Sequence, residues 1–196
     1  MSSTNRSKAR NAHVSDYYVT NINEIVKFLK AFNKIEPFVL NSENTYILDP
    51  CAGGDSKHKM SYPEALMNIG INRNNIITVD IRKDSRAEIR EDYLSIDCHG
   101  DFTTIITNPP FNIAREIIEK ALNDVKEGGW VIMLLRLNFF GGKLRKDMWD
   151  KQMPKYAFIH SKRMSFTDDG KTDSIEYMHC IWQKGYYPDF TQIKVI

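Results

Sequence analysis

Asn108, Pro109, Pro110 and Phe111 follow a β-branched run, Thr103 to Thr107, and no strand needs such an ending. Pro109 pushes Asn108 out of the helical region and lacks a backbone donor, and Pro110 does the same to Pro109. The corner is therefore stiff and extended. It presents two acceptors, the Asn108 side-chain oxygen and the Pro109 carbonyl, with no neighbouring N–H to cancel them. Phe111 adds a flat apolar face. Two acceptors beside an aromatic ring suit a planar base that carries an exocyclic NH2 group.

Two further apolar runs end in an acid, at Asp49 and Asp80. Asp49 opens "DPCAGGD", where Gly53 and Gly54 allow a ligand close to the backbone. Asp80 follows Gly53 by 27 residues, somewhat beyond the ~20 expected of an acid that receives ribose hydroxyls. The pairing suggests a nucleoside-containing cofactor. Taken singly, the glycine pair reads as a turn before a cofactor loop, and Asp80 reads equally as a helix cap or a salt-bridge partner.

These side chains need a frame. "NINEIVKFLKAF" has Ile22, Ile25, Val26 and Leu29 at helical spacing, with Asn21 as N-cap and Glu24 three residues on. "TYILD", "NIITVD", "FTTIITN" and "WVIMLLRL" read as strands, with helices predicted around Tyr62 to Asn68, over "DSRAEIRE", and from Asn112 to the stop at Gly128 and Gly129. "KYAFIHS" and "IEYMHCIWQK", separated by the turn-rich "FTDDGKTDS", predict an antiparallel hairpin. The expected fold is α/β, a doubly wound and mostly parallel sheet with an antiparallel C-terminal edge, which gathers Asp49, Asp80 and Asn108 at one rim.

The 196 residues suit one domain, with a polar arm over 1–15. No apolar stretch has membrane-spanning length and the first residues lack a signal-peptide core, so a cytoplasmic location is expected. Three scattered cysteines suggest neither disulfides nor a zinc site, and the five histidines show no metal-ligand spacing. The net charge is +2, but Lys143 to Arg163 holds seven basic residues against two acidic ones. Lys143, Arg145, Lys146 and Arg163 are therefore candidate phosphate contacts within 138–166, a segment that could choose a target. The same stretch reads equally as a surface helix and loop with Trp149 and Phe158 in the core.

Taken in order, "DPCAGGD", "TVDIR", "EDYL" and "TNPPF" resemble the class I S-adenosylmethionine-dependent methyltransferases, specifically the N6-adenine nucleic-acid enzymes, several of them encoded by phages or prophages. The resemblance runs from about Asp16 to Lys184 and implies a Rossmann-like sheet. It implies that Asp49, Pro50, Cys51, Gly53 and Asp55 wrap the methionine part of the cofactor. Asp80 would bind the ribose hydroxyls, Ile81 would lie against the adenine, and Asp92 would meet its amino group with Tyr93 beside the ring. "SDYYVT" is similar to the segment that closes over the methionine end, which brings in Tyr17, Tyr18 and Thr20. Asp55 stands where the family usually has a last glycine.

The implied reaction is methyl transfer from S-adenosylmethionine to adenine N6 in DNA, with Asn108, Pro109, Pro110 and Phe111 around the target amine. The same chemistry on RNA, or a cofactor-binding subunit without turnover, are the alternatives. Methylation of a protein glutamine amide usually goes with Tyr at the place of Phe111. With no separate recognition domain expected, site choice would come from a homodimer or a partner subunit.

Overall fold

A computed structural model describes residues 19–40, 44–98, 101–166 and 174–196. Tyr17, Tyr18, the 1–15 arm and most of "FTDDGKTDS" lie outside the described residues.

The first helix, α1 (Ile22–Asn33), begins where Asn21 Oδ1 accepts from the backbone N–H groups of Asn23 (2.9 Å) and Glu24 (3.4 Å). It buries Ile25, Phe28, Leu29 and Phe32 at helical spacing. Next come β1 (Ile47–Asp49), α2 (Ser61–Asn68), β2 (Ile76–Thr78), β3 (Thr104–Thr107), α3 (Ala114–Asp124) and β4 (Trp130–Arg136). The chain continues through α4 (Lys146–Lys151), β5 (Tyr156–Ile159), β6 (Tyr177–Gln183) and β7 (Gln192–Val195).

The seven strands are ordered β2-β1-β3-β4-β6-β5-β7, and only β6 runs against its neighbours. Both faces are covered. Ile132 and Leu134 of β4 join α1 and α2 side chains in one core, while Val131, Met133 and Leu135 join α3 in the other. A strand buried on both sides has to be apolar almost throughout, which accounts for "WVIMLLRL". Among the described residues no helix is long and apolar enough to cross a membrane.

The structure corrects two expectations. The antiparallel strand, β6, is internal rather than at the edge, because it inserts between β4 and β5, and "TQIKVI" adds a further strand, β7, parallel to β5 at the edge. "DSRAEIRE" is not a helix. Ile89 bridges to Val79, and Ser85, Arg86 and Arg90 spend their side chains on carbonyls. The tertiary bonds of Ser85 and Arg86 outweigh a modest helix propensity.

The chain passes from β1 to β2 on one side and crosses back to β3 on the other, which makes the end of β1 and β3 the switch point of the sheet.

Candidate active site at the switch point

A cleft opens there, with about 830 Å³ of empty space including its mouth. On the β1 side lies the glycine loop. Gly53 and Gly54 have φ of 67° and 72°, in the left-handed region, and a Cβ on Gly54 would stand 2.8 Å from Met60 Cγ. The segment after β2 pins this loop: Asp80 Oδ2 accepts from Gly53 N (2.8 Å), Ser85 Oγ donates to Gly53 O (2.6 Å), and Arg82 Nη2 donates to Gly54 O (2.6 Å). Asp80 Oδ1 accepts from the Arg82 N–H (2.8 Å). From the stretch predicted as a helix, Ser85 and Arg86, which donates to Asp55 O, thus share in clamping the loop.

Of the residues expected to hold a cofactor, Thr20, Pro50, Cys51, Gly53, Asp80, Ile81, Asp92 and Tyr93 line the cleft. Ile81 is 56% exposed at its mouth, free to meet a flat apolar ring. Asp92 caps a short turn by accepting from Leu94 N (3.0 Å), and Tyr93 is fixed from behind by its hydroxyl, which donates to Asp124 Oδ2 (2.8 Å).

Asp49 and Asp55 are not among the lining residues. Asp49 is fully buried, its Oδ1 accepts from Cys51 N (3.3 Å), and its Oδ2 has no hydrogen-bond partner among the described residues. Burial raises its carboxyl to about 7, opposed by Thr107 and the Cys51 amide and reinforced by the charge of Asp80. Asp55 closes its own turn instead: its carboxylate accepts from Lys57 N (2.7 Å) and His58 N (2.8 Å) and meets the His58 ring at 2.9 Å. Burial pushes its carboxyl up, but those bonds and the charge of His58 together outweigh it and hold the carboxyl down at about 2. Where the sequence suggested a ligand contact, Asp55 shapes the loop.

On the β3 side, Asn108 and Pro110 line the cleft. Asn108 Nδ2 donates to Thr20 Oγ1 (3.0 Å), which fixes the amide plane, and Asn108 Oδ1 is a buried acceptor with no partner among the described residues. Buried polar atoms are rarely left so. Phe111 is partly buried, tilted against Tyr177 at 5.9 Å, with the Arg136 guanidinium 4.5 Å above its ring. Pro109 and Phe111 flank the cleft in sequence without lining it.

None of the basic candidates lines this cleft, and most are engaged. Arg145 Nε donates to Phe139 O (2.8 Å), Lys146 pairs with Asp150, and Arg163 lies 3.4 Å from Glu176; Lys143 is exposed. Phe158 is in the core, while Trp149 is half-buried between Phe139 and Phe140.

Sequence reasoning missed Ser61 and Tyr62 from the start of α2, Arg82, and Ile113 and Ile117 from the start of α3, all of which line the cleft. Tyr62 leads to a buried chain: its hydroxyl is hydrogen-bonded to His179 Nε2 (2.9 Å), and His179 Nδ1 to His160 Nε2 (2.9 Å). Burial holds His179 well below its usual value and His160 at about 4. The histidines are 19 residues apart and over 90 from Tyr62, so spacing carried no signal.

No family model and no curated protein matches the chain. Solved structures do. A protein from Listeria monocytogenes assigned as a class I S-adenosylmethionine-dependent methyltransferase is similar over 95% of this chain and 68% of its own, with a TM-score of 0.63 and 15% identity. The fold is that of the Rossmann-like methyltransferases. A Pyrococcus horikoshii protein assigned as an RNA methyltransferase is similar over 87% of both chains (TM-score 0.60, 13% identity). The modification subunit of a Vibrio vulnificus protein assigned as a type I restriction enzyme is similar over 94% of this chain and 48% of that one (TM-score 0.60, 12% identity).

Proposed function

We propose that the protein transfers a methyl group from S-adenosylmethionine to the N6 amino group of adenine in DNA. The Asn108 amide carries this assignment: Thr20 holds its nitrogen, and its oxygen is a buried acceptor without a partner in the cleft that also contains the glycine loop. The donor set fits the cofactor. Asp80 would receive ribose hydroxyls, Ile81 would face the adenine, Asp92 would accept from its amino group, and the open glycine loop with buried Asp49 would take the cationic methionine end. When bound, S-adenosylmethionine supplies an electrophilic methyl group on sulfur.

Asn108 Oδ1 and the Pro109 carbonyl accept the two hydrogens of the target amine. This draws the nitrogen out of conjugation with the ring and stabilises positive charge as it develops there. Positioning rather than a strong base does the work, and the surplus proton passes to solvent. The target base leaves its stack, at a cost of a few kcal/mol, and stacks against Phe111 beside Arg136. A partner subunit or a second copy, together with 138–166, chooses the site. The same transfer to RNA is the second reading, favoured by likeness to the Pyrococcus protein.

The test is incubation with labelled cofactor and separate DNA, RNA and protein pools, followed by digestion to nucleosides or amino acids and mass spectrometry. N6-methyladenine from DNA is expected. Asn108→Ala should abolish transfer while S-adenosylhomocysteine binding stays within a few-fold. Wild-type turnover in that variant, or label on protein alone, refutes the assignment.

A further inference from the structure

Leu144 is 86% exposed, more than any other large apolar side chain of the described residues. Exposure of one leucine is ordinary; the way its backbone is held is not. Arg115 Nη1 donates to Leu144 O (2.7 Å), and the same guanidinium grips Asp147 through Nη1 (3.0 Å) and Nη2 (2.7 Å). On the other flank, Arg145 bonds to the carbonyls of Phe139 and Gly141 and lies 4.7 Å over the Phe139 ring. Gly142 turns the chain with φ of 106°, where a Cβ would stand 2.8 Å from Arg145 Nη2. Two arginines thus fix the peptide on either side while the leucine side chain projects.

The tip lies at the end of the sheet where the cleft opens. Arg115 lies on α3 between Ile113 and Ile117, which line it, and the loop that carries Leu144 leaves β4 at the end where Thr107, just before Asn108, pairs with Met133. Lys143 is exposed beside it, in the stretch that holds the local excess of positive charge. An apolar point on a rigid base, beside exposed Lys143 and at the end of the sheet that carries a pocket for a base, suits one occupant: the stack of a nucleic-acid duplex.

We infer that Leu144 is a wedge which enters the duplex beside the target adenine and fills the gap that the adenine leaves. The inference rests on the proposed adenine methylation and narrows its substrate to a duplex. The phosphates are met by Lys143, and Arg115 is a positioning residue that acts through the Leu144 carbonyl. Single strands have no stack to open, so the wedge contributes only on duplex.

The test compares wild type, Leu144→Ala and Leu144→Met on unmethylated amplified DNA, native or heat-denatured, reading N6-methyladenine by mass spectrometry. Leu144→Ala should lower the rate on native duplex by about tenfold, the scale of one leucine side chain removed from apolar contact, and change the rate on denatured strands less than twofold. Leu144→Met should keep most of the duplex rate. Equal loss on both substrates, no loss on either, or a wild type active on single strands only overturns the wedge and leaves adenine methylation standing. A change of mass in sedimentation for Leu144→Ala also overturns it, since the leucine then seats a second protein. A wild type that methylates neither pool overturns the wedge and the methylation reading together.

Discussion

Asp49→Asn removes one ionisation and almost no volume, at a carboxyl that is fully buried and raised from 3.8 to about 7. The native state therefore holds a proton between pH 4 and 7 that the unfolded chain has released. Over that window the unfolded state binds fewer protons, so stability falls as pH rises, by about 1.4 kcal/mol per pH unit. Across the three-unit interval the total is ~4 kcal/mol as an upper limit, and ~2–4 kcal/mol after allowance for relaxation around the charge. The contribution is fully present below pH 4 and lost above 7. Asparagine cannot ionise, so Asp49→Asn should match the wild type near pH 4.5 and be more stable by ~2–4 kcal/mol at pH 8. Urea unfolding of both proteins at pH 4.5, 6 and 8 measures the difference, from which pH effects common to both proteins cancel. A gap independent of pH would show that Asp49 is ionised throughout and that its burial is relieved by a contact other than those described. With a cationic cofactor end bound above Asp49, saturating S-adenosylhomocysteine should narrow the gap at pH 8.

Gly54→Ala places a Cβ at φ of 72° and 2.8 Å from Met60 Cγ, which costs ~1–2 kcal/mol of backbone strain and should weaken S-adenosylhomocysteine binding by about tenfold or more in calorimetry. Unchanged affinity would mean that the loop does not form the cofactor wall. His179→Leu strips partners from the Tyr62 hydroxyl and His160 Nε2 and should cost ~2–4 kcal/mol at pH 8. Because His179 is neutral in the fold at a pH where the unfolded chain protonates it, wild-type stability drops as pH falls below 6.5. The cost of the substitution should therefore shrink by up to ~2 kcal/mol at pH 5. A constant cost would place the proton inside the fold.

The sequence by itself determined most of the frame and much of the rim. Asn21 ahead of an apolar stripe specifies α1, and β4 is legible because a strand covered on both faces must be apolar. Asp49, Asp80 and Asn108 could be placed at one edge because parallel strands at a switch point end together. Local signals were sufficient there. They failed over "DSRAEIRE", whose composition permits a helix, because Ser85 and Arg86 have bonding partners in the glycine loop that only folding supplies. They failed equally for β7, since a short strand at a sheet edge gains most of its stability from the neighbour it joins.

Tertiary structure alone decided what each polar atom does. It turned Asp55 onto its own loop, used Arg145 to hold a turn, and gave His179 a role by bringing together residues far apart in the chain. It also left Asn108 Oδ1 without a partner and set Leu144 out into solvent. Residue type and spacing name the groups available, but burial and the identity of the nearest donor fix charge and orientation, and these are properties of the packed chain.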